Sequence, residues 1–209
     1  MIPLGDDNSL RKTIPLMTYL LIVLNVIFFF LEASYGEEFI KQWAFIPNRF
    51  LSNKFADFIT IFTSMFMHAG LGHLAGNMLY LWIFGDNVED RMGKLPFLLF
   101  YIVCGIAATF SQTLFNPESN VPNVGASGAI AGVLGAYIML FPQGKISVMA
   151  GRLIQMPALI VIGFWFVAQF ASSVGEIGSA SEGGGVAYMA HIGGFIAGLI
   201  ITYIYKKKQ

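Results

Sequence analysis

A serine hydroxyl becomes a nucleophile when a neighbouring base takes its proton, and imidazole is the side chain suited to that task near neutrality. Ser127 stands in the run Val124-Gly125-Ala126-Ser127-Gly128, and His191 in Ala190-His191-Ile192-Gly193-Gly194; both runs are otherwise apolar. The two remaining histidines, His68 and His73, fall with Asn77 in the run HAGLGHLAGN. His73 and Asn77 are four residues apart, hence on one face of a helix. The Asn77 amide, a His73 ring nitrogen and the Ser127 backbone N–H are candidate donors to the oxyanion of a tetrahedral intermediate. No Asp or Glu lies in the apolar runs that carry Ser127 and His191, so the expected set is a Ser-His dyad with no acidic third member. The bland alternatives are a helical serine bonded back to a carbonyl and histidines that merely anchor helix ends in water. Zinc hydrolysis would ask for a helical HExxH, but His68 and His73 are five apart with no glutamate between them. No metal and no cofactor is called for.

The elements that must position these residues are membrane helices. Of 209 residues 56% are hydrophobic and only 11% charged, against roughly 25% charged in a typical soluble domain. Twelve Lys and Arg balance twelve Asp and Glu, which leaves no basic surface for nucleic acid. Apolar stretches at 14–34, 66–85, 95–115, 126–141, 152–172 and 186–205 predict six spans in an all-α bundle. This gives a membrane domain at 14–205, preceded by a short segment at 1–13 and followed by a basic tail at 206–209. Arg11, Lys12, Arg91, Lys94, Lys145, Arg152, Lys206, Lys207 and Lys208 fall on one side, and only Lys41, Arg49 and Lys54 on the other. Nine against three predicts cytoplasmic termini in a multi-pass protein of the cell (inner) membrane. All three histidines then join Ser127 at the outer ends of spans, and shared depth is what favours chemistry over the bland readings.

The fourth apolar run is about 16 residues, roughly 24 Å of helix, short of a ~30 Å hydrocarbon core. Its start at Ser127 is expected below the outer surface, facing a wet, outward-facing polar cavity. Gly128, Gly132 and Gly135 on that run, and Ala190, Gly194 and Gly198 on the sixth, make smooth faces along which backbones can approach closely. GDNVEDRMGK reads as a capped, salt-bridged turn between two helices.

GASG at 125–128 with its continuation AIAGVLGAYIM, HAGLGHLAGN at 68–77 and AHIGGFIAG at 190–198 together resemble the rhomboid intramembrane serine protease family. The three motifs stand in family order on spans two, four and six, although GxSG alone recurs on unrelated folds. The resemblance implies Ser127 as nucleophile, His191 as general base, His73 and Asn77 in the oxyanion hole, and His68 as a nearby structural or water-organising residue. Gly125 and Gly128 flank the nucleophile in the motif. It further implies substrates that are single-span membrane proteins, a first outer loop lying partly in the bilayer, and a mobile fifth helix, here bearing GFWFVAQF. Two positions depart from the pattern. A Trp-Arg pair common before the second span is Ile59-Thr60 here, and a tyrosine that stacks on the catalytic histidine in some members is Ala131. The competing functions are a catalytically silent relative that holds membrane clients and, third, a small transporter; the latter lacks the charged relay that ion coupling uses. The sequence sets no oligomeric state.

Overall fold

A chain in hydrocarbon has no water to bond its backbone, so long apolar runs close their hydrogen bonds internally as helices. The computed structural model describes residues 2–7, 11–177 and 187–208. A strand, β1 (Ile2–Asp6), precedes the first long helix, α1 (Leu16–Tyr35). Short helical pieces follow: α2 (Glu37–Trp43), α3 (Pro47–Ser52), α4 (Lys54–Asp57), α5 (Thr60–Thr63) and a 3-10 turn at Ser64–Phe66. Helix then runs unbroken from Leu71 to Met92 as α6 (Leu71–Tyr80), a π-helical stretch (Leu81–Gly85) and α7 (Asp86–Met92). The remaining elements are α8 (Lys94–Phe115), α9 (Ser127–Leu140), β2 (Lys145–Met149), β3 (Leu153–Pro157), α10 (Ala158–Ile177) and α11 (Tyr188–Lys206). Helices α1, α8 and α11 are each long and apolar enough to cross a membrane, and the pieces Phe55–Phe66 and Leu71–Met92, bent by 77°, make a fourth candidate if taken as one span. Helix α9 and the first part of α10 are apolar but shorter.

Three expectations are corrected. The fold is not all-α: β1, β2 and β3 form an antiparallel sheet in that order, with Ile2 opposite Met149, Asp6 opposite Ile146, and Lys145 opposite Pro157. Strand β2 alternates sides with period two and drives Ile146 and Val148 fully into the core, which is how a short non-helical segment earns its place there. The stretch taken as the start of a fifth span, 152–172, begins instead as β3, and its helix starts at Ala158. The SEGGG connection after that helix lies outside the described residues. Finally, GDNVEDRMGK is helical up to Gly93, because its acids have work elsewhere. Glu89 accepts from the N–H groups of Met17 and Thr18 at 3.0 and 2.7 Å and from the Thr18 hydroxyl at 2.8 Å. Those are first-turn donors of α1, which has no capping side chain of its own, so a buried carboxylate from α7 caps it. Asp90 accepts from Lys12 and Thr13 N–H, and Asp86 pairs with Arg11 at 2.5 Å.

The sheet carries a buried acid of its own. Asp6 accepts from the Tyr137 hydroxyl at 2.7 Å and from the Asn87 amide at 2.6 Å, joining β1 to α9 and α7. Burial pushes the Asp6 carboxyl up to about 6; negative Asp86 adds to this, and the bonds from Tyr137 and Asn87 partly offset it. A raised carboxyl value means the folded chain holds more protons than the unfolded chain between the ordinary 3.8 and about 6, so docking of β1 weakens as pH rises through that window. Hydrogen exchange at residues 2–6, corrected for intrinsic rates, should therefore show more opening at pH 7 than at pH 5. Asp6→Asn should flatten that difference; an unchanged pH dependence in the variant would refute the assignment.

Helices α8, α9 and α11 pack mutually around glycines. A Cβ added at Gly194 would fall 2.0 Å from the Gly128 carbonyl oxygen, and one at Gly198 would fall 2.1 Å from that of Gly132. Added carbon at Gly128 or Gly132 would meet Ala108 at 2.4 Å or Cys104 at 2.5 Å. Backbone cannot yield as a side-chain tip can, so this seam closes only with glycine. It is the approach anticipated from the spacing of small residues on the fourth and sixth runs.

Candidate active site

Helix α9 begins at Ser127, so the N–H groups of its first turn have no partners within the helix. The segment leading into it is pinned by backbone bonds: Asn123 N–H donates to the Phe45 carbonyl at 2.7 Å, and Gly125 N–H to that of Ser64 at 2.9 Å. Gly125 has φ +134°, where side chains are rarely tolerated, and a Cβ there would lie 2.9 Å from His73 Cε1 and 3.0 Å from His73 Nε2. The same point is 3.5 Å from Ser127 Oγ. Glycine at 125 is thus what allows the His73 ring to lie beside the serine.

His191 is buried in the first turns of α11, and its Nε2 lies 2.7 Å from Ser127 Oγ. The close pairing of Gly128 with Gly194, one residue after the serine and three after the histidine, brings the two side chains within that distance. A hydroxyl so placed can hand its proton to a neutral ring whose Nε2 is the acceptor. His73 Nδ1 accepts from Ala69 N–H at 3.4 Å, which in the neutral ring leaves the proton on Nε2, the atom turned toward Gly125. Asn77, one helical turn on, is buried, and its Nδ2 has no partner among the described residues. A cavity of about 20 Å³, roughly the room one water needs, lies among Ser64, Gly105, Thr109, Asn123, Gly125 and Ser127.

His68 lies off this line. It is fully buried, with its ring edge-on to that of His73 at 5.1 Å, and neither of its ring nitrogens bonds a described residue. Its backbone N–H donates to the Glu32 carboxylate of α1 at 3.0 Å. Glu32, buried at the end of α1, was passed over in the sequence, although a lone carboxylate ending an apolar run was a signal. Gln112 was missed too: its Oε1 receives the Ala190 N–H at 3.2 Å and steadies the turn before His191. Trp165 and Tyr188, whose rings meet His191, carried no signal beyond aromatic bulk.

A family model described as Rhomboid domain matches residues 56–208. The chain belongs to the rhomboid family. It is 33% identical over 175 residues to Rhomboid protease GluP of Bacillus subtilis (strain 168), covering 81% of this chain and 34% of that protein. Against Rhomboid protein 1, mitochondrial, of Saccharomyces cerevisiae, identity is 30% over 175 residues, or 80% of this chain and 48% of that one. With Putative rhomboid protease YdcA of Bacillus subtilis (strain 168) it is 28% over 151 residues, 71% of this chain and 68% of that protein. The chain therefore spans between a third and a half of the length of the first two. Family and apolar helices together make this rhomboid a membrane protein. In this rhomboid the first loop is tied at Arg49, which bonds Asp57 at 2.9 Å and the carbonyls of Ala44 and Lys41. Thr60, in the position of the departed pair, is buried and bonds the Asp57 carbonyl at 2.6 Å.

Proposed function

We propose that this rhomboid is an intramembrane serine endopeptidase with Ser127 as nucleophile and His191 as general base. The observation that carries the reading is the 2.7 Å contact between Ser127 Oγ and His191 Nε2 at the first residue of α9. In the acylation step the serine proton passes to His191 Nε2 as Oγ bonds the scissile carbonyl carbon. The oxyanion takes hydrogen bonds from His73 Nε2–H, Asn77 Nδ2–H and the Ser127 N–H. His191 then protonates the leaving amine, and the C–N bond breaks. Water attacks the resulting ester, losing its proton to His191, and that proton returns to Ser127 as the ester breaks. No metal or other cofactor takes part.

The substrates are single-span membrane proteins, cut near the outer boundary of their span where the helix can unwind. A transmembrane helix hides its carbonyls in internal bonds, so a small residue before the scissile bond and helix breakers nearby favour attack. The chain crosses the membrane six times, with 1–13 and 206–209 on the cytoplasmic side. Charge supports this orientation: Arg11 is bound to Asp86, and Lys206 donates to the Met139 carbonyl at the end of α9 away from Ser127. The test is to label purified protein with a serine-directed fluorophosphonate and to map cleavage of a model single-span substrate by mass spectrometry. Label on Ser127 and cuts in the outer half of the span are expected. Absence of label, cuts in the cytoplasmic half, or indifference to a large β-branched residue before the bond would each count against the reading.

A further inference from the structure

Helix α10 meets α11 through two successive rings. Trp165 lies tilted on the His191 imidazole, centroids 5.7 Å apart at 38°, and Phe166 lies on Phe195 at 4.5 Å and 31°. His191 and Phe195 are four residues apart on one face of α11, so the two contacts form a single seam. Tyr188 adds only an edge contact to His191 from the same helix, at 6.5 Å and 85°. On α9, the residue one turn after Ser127 on its face is Ala131, a buried methyl with no ring to offer. Among the described residues, the broadest ring contact against the imidazole is that of the tilted Trp165 indole from α10.

An imidazole serves as base only while Nε2 points at the hydroxyl, and small rotations of the ring spoil a 2.7 Å contact. An aromatic face in contact with the ring resists those rotations. We propose that Trp165 is a positioning residue whose indole holds the His191 ring in the plane that keeps Nε2 on Ser127. The proposal rests on the protease reading of the site. It has one structural consequence: because the indole stands on α10, nucleophile and base are aligned only while α10 is seated on α11. Phe166 makes a second contact between the same two helices, at Phe195, and a leucine that keeps its apolar bulk there provides the control.

Two measurements on the full chain test this. In the first, Trp43 and Trp82 are replaced by phenylalanine so that Trp165 is the sole indole. Protonated imidazole in ring contact quenches indole emission far more than neutral imidazole does. Emission should fall as pH is lowered, and His191→Ala should abolish the fall. His73 of α6 and Tyr188 of α11 also act on the His191 ring, so His73→Ala and Tyr188→Phe should leave the fall in place. In the second, fluorophosphonate labelling and cleavage are timed for Trp165→Leu, Trp165→Phe and Phe166→Leu. Trp165→Leu should slow labelling and lower kcat about tenfold with KM within about twofold, the size of one lost aromatic pair. Trp165→Phe should recover most of the loss, and Phe166→Leu should leave the labelling rate near wild type. A quench that survives His191→Ala, or Trp165→Leu labelling at the wild-type rate, overturns the proposal. A wild type that shows the quench but never labels overturns the protease reading and the positioning role with it.

Discussion

Ser127→Ala or His191→Ala should each abolish cleavage, with turnover falling on the order of 10⁴–10⁶-fold, as when one member of a concerted nucleophile and base is removed. The basis is the shared hydrogen bond at 2.7 Å: without the ring the hydroxyl keeps its proton, and without the hydroxyl the ring has no nucleophile to activate. Two groups that act in one step are not additive, so the double variant should lose little more than either single one. Ser127→Ala removes one oxygen from the start of α9 and should leave the thermal midpoint in detergent near that of wild type. His191→Ala also empties a ring site that Trp165 and Tyr188 touch, so some loss of stability is expected there. Cleavage above about one per cent of wild type in the folded Ser127→Ala protein would be incompatible with this mechanism.

Asn77→Ala should lower kcat by about 10²–10³-fold while KM changes little, the usual cost of losing one oxyanion donor. Its side chain is buried on the face that also carries His73, and its Nδ2 bonds no described residue. A buried amide N–H left without a protein partner is costly, which fits a donor meant for a charge that develops only during the reaction. The kcat and KM split separates this from packing. A variant with unchanged kcat and a raised KM would make Asn77 a substrate-binding or space-filling residue.

Much of this molecule was legible from hydropathy and the positions of small residues. The runs at 14–34, 95–115, 126–141 and 186–205 fall within a few residues of α1, α8, α9 and α11, because hydrocarbon imposes helix on any long apolar segment. Glycines at 128, 132, 194 and 198 marked the seam that brings Ser127 to His191, since nothing larger fits there. The sheet was not legible. Leu153–Pro157 merges with the apolar start of α10, and Ile2–Asp6 carries no alternation strong enough to announce a strand. Both depend on partners more than a hundred residues away, or on a hairpin whose turn lacks the usual dipeptides. The same holds for Glu89 and Glu32. A carboxylate at the edge of an apolar run signals some buried partner, but Thr18 and the His68 N–H lie 71 and 36 residues off, which no local pattern encodes.

Strand β1 also sets an order of events during synthesis. It precedes its partner β2 by about 140 residues, so at 5–20 residues per second roughly 7–30 s pass before pairing is possible. Over that interval α1, α6 and α8 emerge while Asp6 waits for Tyr137 and β1 waits for Lys145–Met149. Closure of the sheet is therefore a late step of maturation, coming only after the chain has delivered helix α9. A ribosome stalled before residue 149 would hold a nascent protein with α1, α6, α8 and α9 made and β1 still unpaired.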